Sequence, residues 1–405
     1  KIKKNSVIKV RVFLLKKLLP AIIIFLCLVT TQSHVSAAVP VQLSLKSEAA
    51  ALLDSDTGAV LYVKNPNQKM YPASITKIAT AIYAIEKGDL NNLVTVSGNA
   101  VRQDGTRVYL NEGEQVPLKQ LIQGMLINSG NDAAVAIAEY TDGTVQQFAE
   151  NINVYLKTKI GVTNTHFTNP NGLFDPNHYT TAMDMALITN YAIKNPVFAE
   201  IFGTKVLPWK GQSWQTNLVT HHKMLKGEIA YPGITGGKTG YTSQTKQTLA
   251  TTADNGKIRL TAIVLKSNLK NDKYTDTALL LDYGFKNFQH STLKQGEIFS
   301  ADQKEFYPER DTLITERVNG CIKNVASNGL LSIQDDRGQL VQTVQLTYKE
   351  PIKPKVAAIK KVKKQHNGKE QLLQVNIVLG MMIVIMIGIM MAVRKRRLSE
   401  YKHTS

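Results

Sequence analysis

Lys77 restricts the folding of this chain more than any other residue. Ile75, Ile78, Ile82 and Ile85 recur around it at helical spacing, and Gly88 closes the run. A helix apolar on several sides has to be buried, and a lysine within it is costly unless paired or neutral. Ser74 stands three residues earlier, so hydroxyl and amine share a helix face about one turn apart. That placement suits a nucleophile and its base. The spacing alone is weak. It recurs at Ser6/Lys9, Ser243/Lys246, Ser267/Lys270, Ser291/Lys294 and Ser399/Lys402, and a serine at a helix start is ordinarily a cap.

Two further stretches single out Ser74. Ser129-Gly130-Asn131 falls at the break between helical patterns over 118–128 and 132–140. Lys238-Thr239-Gly240 lies in a glycine-rich, β-branched run; a lysine there is ordinarily a surface charge. Ser97-Gly98-Asn99 repeats the second pattern, but it follows the strand-like Val94-Thr95-Val96 and lacks a helical flank. Apolar runs either side of 54–58 predict a hairpin over 49–64. Helices are expected over 144–159, 181–193 and 272–285, with an Asn/Pro/Gly-rich loop over 163–180. Asp254-Asn255-Gly256 between two apolar runs predicts a second hairpin. Strands at both ends of 45–288 and helices between them imply one antiparallel sheet packed by helices.

The net charge of +18 invites a nucleic-acid reading until it is located. Residues 1–37 carry +7, residues 349–405 carry +10, and the body between them carries +1. The charge flanks apolar segments, which fits membrane topology rather than phosphate binding. A basic start, an apolar core over 18–30 and Val35-Ser36-Ala37 read as a signal peptide, 1–37. Residues 377–393 hold no charge and precede Arg394-Lys395-Arg396-Arg397. They read as a transmembrane helix with its basic end, 394–405, in the cytoplasm. The expected order is then a catalytic domain over 38–288, a small β domain over 289–350 and a basic linker over 351–376. Of the two cysteines, Cys27 falls in the signal segment, so Cys321 has no partner for a disulfide. No acidic or further histidine partner stands at ligand spacing from His221-His222, so neither metal nor cofactor is expected.

The three motifs in this order resemble those of low-molecular-mass penicillin-binding proteins of the serine D-alanyl-D-alanine carboxypeptidase family. The matching stretches are Ala73-Ser74-Ile75-Thr76-Lys77, Asn128-Ser129-Gly130-Asn131-Asp132-Ala133 and Gly236-Gly237-Lys238-Thr239-Gly240-Tyr241-Thr242. Asn169-Pro170-Asn171-Gly172-Leu173 and 175–181 are similar as well, and the likeness covers roughly 45–350. It implies an α+β fold, a penicillin-binding/serine β-lactamase-like transpeptidase domain. It implies stem peptides of peptidoglycan as substrate and β-lactams as inhibitors. Ser74 would attack the carbonyl of a terminal D-Ala-D-Ala bond. Lys77 would act as base, its pKa lowered by burial and by Lys238. Ser129 would relay a proton to the departing amine. Asn131 would hold Lys77 and a substrate amide, and Lys238 and Thr239 the terminal carboxylate. Gly240 belongs to the same strand, and the backbone N–H groups of Ser74 and Tyr241 would form the oxyanion hole.

Class A β-lactamases share these motifs but need a glutamate after the second one. None occurs between Glu150 and Glu200, which argues against efficient β-lactam hydrolysis. Peptide cross-linking by the same acyl-enzyme, and an inactive envelope-anchored binding protein, are the other readings.

Overall fold

The computed structural model describes residues 42–350. The signal peptide, the linker, the transmembrane helix and the tail expected from the sequence lie outside the described residues. Among those described, no helix is long and apolar enough to cross a membrane.

Five antiparallel strands form the central sheet. They are β1 (Ala49–Asp54), β2 (Val60–Lys64), β3 (Ile234–Thr242), β4 (Lys246–Asp254) and β5 (Arg259–Ser267), in the order β2-β1-β5-β4-β3. Both expected hairpins are present, and pairing of Ala51 with Ile263 joins the two ends of the 45–288 region. β1 is buried on both faces, so it reads as an unbroken apolar run. Its alternate residues serve two cores. Ala49, Ala51 and Leu53 pack with the helical layer, and Ala50 and Leu52 with the opposite one.

The helical layer is built from α1 (Lys77–Lys87), α2 (Leu118–Ile127), α3 (Asn131–Asp142), α4 (Val145–Tyr155) and α5 (Ala182–Ala192). α1 touches the other four, and residues 77–84 are all buried. α4 runs on into one wide π-type turn, Leu156–Ile160, ended by Gly161 at φ +85°. On the opposite face lie the short α6 (Lys223–Lys226) and α7 (Asp272–Asn287). The hairpin Val206–Lys210/Gln215–Val219 was not foreseen. Its strands are short, and only Trp209 and Leu218 are buried in them, so the alternation is faint.

Two expectations need correcting. Ser74 does not sit in the α-helix. It lies in a 3₁₀ turn, Ala73–Thr76, and the α-helix begins at Lys77. Ser97-Gly98-Asn99 does have a helical flank: Ser97 caps a four-residue helix, Gly98–Val101, and its hydroxyl donates to Glu139.

After α7 come short antiparallel strands, including β6 (Phe288–Leu293) paired with β7 (Thr312–Arg317). Leu293, Phe306, Ile314, Leu331, Ile333 and Leu346 give these strands their own core. Asp54, at the end of β1, accepts from His290 and from Thr315, both at 2.7 Å, and so ties the strands to the sheet. Asp54, Asp56 and His290 are close enough to hold a cation, but Asp56 already pairs with Arg259.

Candidate active site

The 3₁₀ turn carrying Ser74 is wedged between the sheet edge and the Asn/Pro loop. Gly240 allows the first contact. A Cβ there would lie 2.3 Å from Thr248 Oγ1 and 3.0 Å from both Pro72 O and Ser74 N. Gly172 allows the second. At φ +80°, a Cβ would stand 2.0 Å from Ala73 O. His178 fastens the same loop from below. It is buried and held neutral, its pKa lowered to about 3 by burial, then by His166 and Lys77. One ring nitrogen contacts Thr76 Oγ1 at 2.9 Å and the other accepts from Thr168 N.

Lys77 is fully buried. Its amine lies 2.7 Å from Asn131 Oδ1, 2.6 Å from Asn171 O and 3.1 Å from Ser74 Oγ. Burial lowers its pKa well below the ordinary value of 10.5, the charge of Lys238 lowers it further, and Asp132 opposes both. Ser74 makes no capping bond, so the ordinary reading of a serine here fails.

Ser129 sits at the α2–α3 break with φ +65°, uncommon for a residue with a side chain. Asp132 accounts for the surrounding shape. Its carboxylate accepts from the amides of Val108, Leu110 and Ala133, pinning the 104–110 loop over the break. That loop in turn fixes Asn131, whose Nδ2 donates to Asp104 O at 2.5 Å.

Lys238 is also buried, on the edge strand β3, and donates to Ser129 Oγ and to Thr239 O, each at 3.0 Å. The surface-charge reading fails for it too. Burial brings its pKa down to about 7, with Lys273 contributing. Ser74, Ser129, Thr239, Gly240 and Tyr241 line one cleft of about 780 Å³, and Lys77 and Asn131 stand behind Ser74. The structure therefore brings together the residues that the sequence singled out.

Residues 33–268 match the family model described as D-alanyl-D-alanine carboxypeptidase. The chain belongs to that family. D-alanyl-D-alanine carboxypeptidase DacF of Bacillus subtilis is 33% identical over 63% of this chain and 67% of its own length. D-alanyl-D-alanine carboxypeptidase DacA of Haemophilus influenzae is 33% identical over 66% of this chain and 69% of its own. Penicillin binding protein 5 from Haemophilus influenzae superposes with a TM-score of 0.65 at 27% identity, over 77% of this chain and 99% of that one. The fold of this family member is thus the α+β one of the penicillin-binding proteins.

Three contributors were not singled out: the Asn171 carbonyl, Gly172 and Asp132. All three fall inside stretches quoted for the resemblance, but a backbone carbonyl and an absent Cβ leave no chemical signature in sequence. His222 proves structural. Its ring bonds Thr251 Oγ1 and Leu225 N, and it fills the space left by Gly237.

Gly172→Ala is expected to destabilise the fold by about 1–3 kcal/mol, since it combines a left-handed backbone with a backbone clash. Asn171 O should move off Lys77 at the same time. Thermal unfolding and β-lactam acylation rates would both fall. A neutral result in both would separate the loop from the site.

Proposed function

We propose that this chain is a serine-type D-alanyl-D-alanine carboxypeptidase. It removes the terminal D-alanine of stem pentapeptides through an acyl-enzyme on Ser74, and β-lactams acylate the same serine. The observation that carries this reading is the set of partners around the Lys77 amine. A neutral amine has two N–H groups and one lone pair. Asn171 O can only accept. Asn131 Oδ1 can only accept as well, because Asn131 Nδ2 is committed to Asp104 O. Both N–H groups are thereby used, and the lone pair is left for the Ser74 hydroxyl. That is the arrangement of a base and its nucleophile.

The remaining roles follow. Ser74 attacks the carbonyl and gives its proton to Lys77. Ser129, whose hydroxyl accepts from Lys238, passes a proton to the departing amine. Lys238 and Thr239 hold the terminal carboxylate, Asn131 also meets a substrate amide, and the amides of Ser74 and Tyr241 face the oxyanion. Water then releases the acyl group. We also propose the arrangement read from the sequence: signal peptide 1–37, catalytic domain 38–288, β domain 289–350, linker 351–376, anchor helix 377–393 and cytoplasmic tail 394–405. The catalytic domain would then face the cell wall. A chain ending at Lys349 should be soluble and active; membrane retention after a salt wash would contradict the single anchor.

D-alanine release from a pentapeptide, with and without an amine acceptor, tests the activity. Lys238→Ala should lower kcat/KM about ten- to a hundredfold, the worth of one charge-assisted contact of roughly 1.5–3 kcal/mol. Amidating the terminal carboxylate should cost the wild type a similar factor, and the two losses should not add. Removing the Lys238 charge should also let the Lys77 pKa rise, so the acidic limb of the pH–rate profile moves to higher pH. An unchanged preference for the free carboxylate would leave the assignment of Lys238 untenable.

A further inference from the structure

The cleft carries more positive charge than one carboxylate requires. Besides the motif residues, its lining includes Lys223 and Lys226 from α6, Lys270 from the turn before α7 and Lys273 from its first turn. One acid, Glu228, accompanies them and pairs with Lys226 at 2.6 Å. The acids of α7 are engaged elsewhere: Asp272 pairs with Lys46, Asp276 accepts from Ser47, and Asp282 accepts from the Tyr231 hydroxyl. Lys273 donates to the Gln247 amide, a neutral partner. Among the described residues, neither Lys223 nor Lys270 forms an ion pair with a carboxylate. Lys273 is close enough to Lys238 for its charge to act there, and Lys270 and Lys223 act in the same way on Lys273. The cations thus lead outward from the lysine proposed to hold the terminal carboxylate, on the side where the leaving D-alanine sits.

That side is also where whatever takes the acyl group must enter. We propose that Lys223, Lys226, Lys270 and Lys273 select the acceptor: amines that carry a carboxylate are admitted, cationic amines without one are refused, and water is the ordinary acceptor. The inference rests on the carboxypeptidase reading above. In every case the bond between the acyl carbon and Ser74 Oγ breaks. Water forms an acyl–oxygen bond, or an unprotonated amine forms an acyl–nitrogen bond, and the proton lost returns to Ser74 Oγ through Lys77. An ammonium ion approaching the cleft meets several like charges before it can lose its proton, and a nearby carboxylate on the same molecule offsets them. The wall is a filter on approach and does not alter the chemical step.

The test uses a stem-peptide ester ending in D-lactate, whose leaving group adds no competing amine. D-alanine and D-alaninamide are offered as acceptors, and the ratio of the two transfer products is measured. In Lys223→Gln/Lys226→Gln/Lys270→Gln the preference for D-alanine should fall about tenfold at low salt. The difference should shrink near 1 M salt, where charges are screened within about 3 Å. Lys270→Glu alone, at an exposed position, should shift the ratio in the same direction and guards against misfolding of the triple variant. An equal ratio in wild type and both variants would overturn the proposal. Failure of the wild type to release D-alanine from a pentapeptide would sink the carboxypeptidase reading instead, while the ester ratio still reports on the wall. If the ester were not turned over at all, both would fall.

Discussion

Ser74→Ala is expected to abolish covalent labelling by a β-lactam and D-alanine release together, a loss of at least about 10⁴-fold. Ser74 Oγ lies 3.1 Å from the Lys77 amine, whereas Ser129 lies against Lys238. Among the described residues, two other serines that share the spacing bond elsewhere, and Ser291 Oγ is buried without a partner. Ser243 bonds Gln244 in the turn after β3, and Ser267 bonds Ser47 at the end of β5. The variant should fold normally, within about 0.5 kcal/mol of the wild type, because the hydroxyl caps no helix. Mass spectrometry of the labelled wild-type protein identifies the acylated peptide. Attachment at Ser129, Ser243, Ser267 or Ser291 would sink the assignment of Ser74.

Much of this site is legible in the sequence because its chemistry resides in side chains. Ser74 and Lys77 declare themselves by spacing, Ser129 and Asn131 by a break between helices, and Lys238 by a lysine within a strand-like glycine run. What the sequence hides is how these pieces are pressed together. Gly240 and Gly172 act by what they lack, each clearing room for backbone beside Ser74. The Asn171 carbonyl completes the Lys77 environment from 94 residues away, and any residue type supplies a carbonyl. The fold divides in the same way. β1 and the 254–256 turn have strong local signals and are found where expected. The 206–219 hairpin and the strand after α7 depend on tertiary packing more than on local pattern. Ser74 was expected in an α-helix because Ile75 and Ile78 fit its period; the tighter 3₁₀ turn begins at Ala73, which itself has φ +50°.

Lys77→Met separates the two reasons for having a lysine here. Methionine is unbranched and apolar and fills a similar volume, so α1 should remain packed. As a base, Lys77 is expected to be worth about 10²–10⁴-fold in the acylation rate, and nucleophile and base should act as a unit. Adding Lys77→Met to Ser74→Ala should therefore cost almost nothing further. Stability should respond quite differently. Burial and the Lys238 charge hold the folded amine well below its ordinary 10.5, so the native state is neutral where the unfolded chain is protonated. The unfolded state binds more protons, and native stability rises with pH from the folded pKa up to about 10.5. Below that window the native state carries the full penalty of burying the lysine. Lys77→Met removes this contribution, so the variant's unfolding free energy should rise less steeply between neutral pH and pH 10. It should not gain all of the penalty back, because Asn131 Oδ1 and Asn171 O lose their donor, at roughly 1–3 kcal/mol each. Denaturant titrations at several pH values, run beside β-lactam acylation rates, read both quantities from the same preparations. A variant that acylates at the wild-type rate would make Lys77 a structural lysine. One that loses acylation but keeps the wild-type pH slope would show that Lys77 is already protonated in the fold, and another group would have to serve as base.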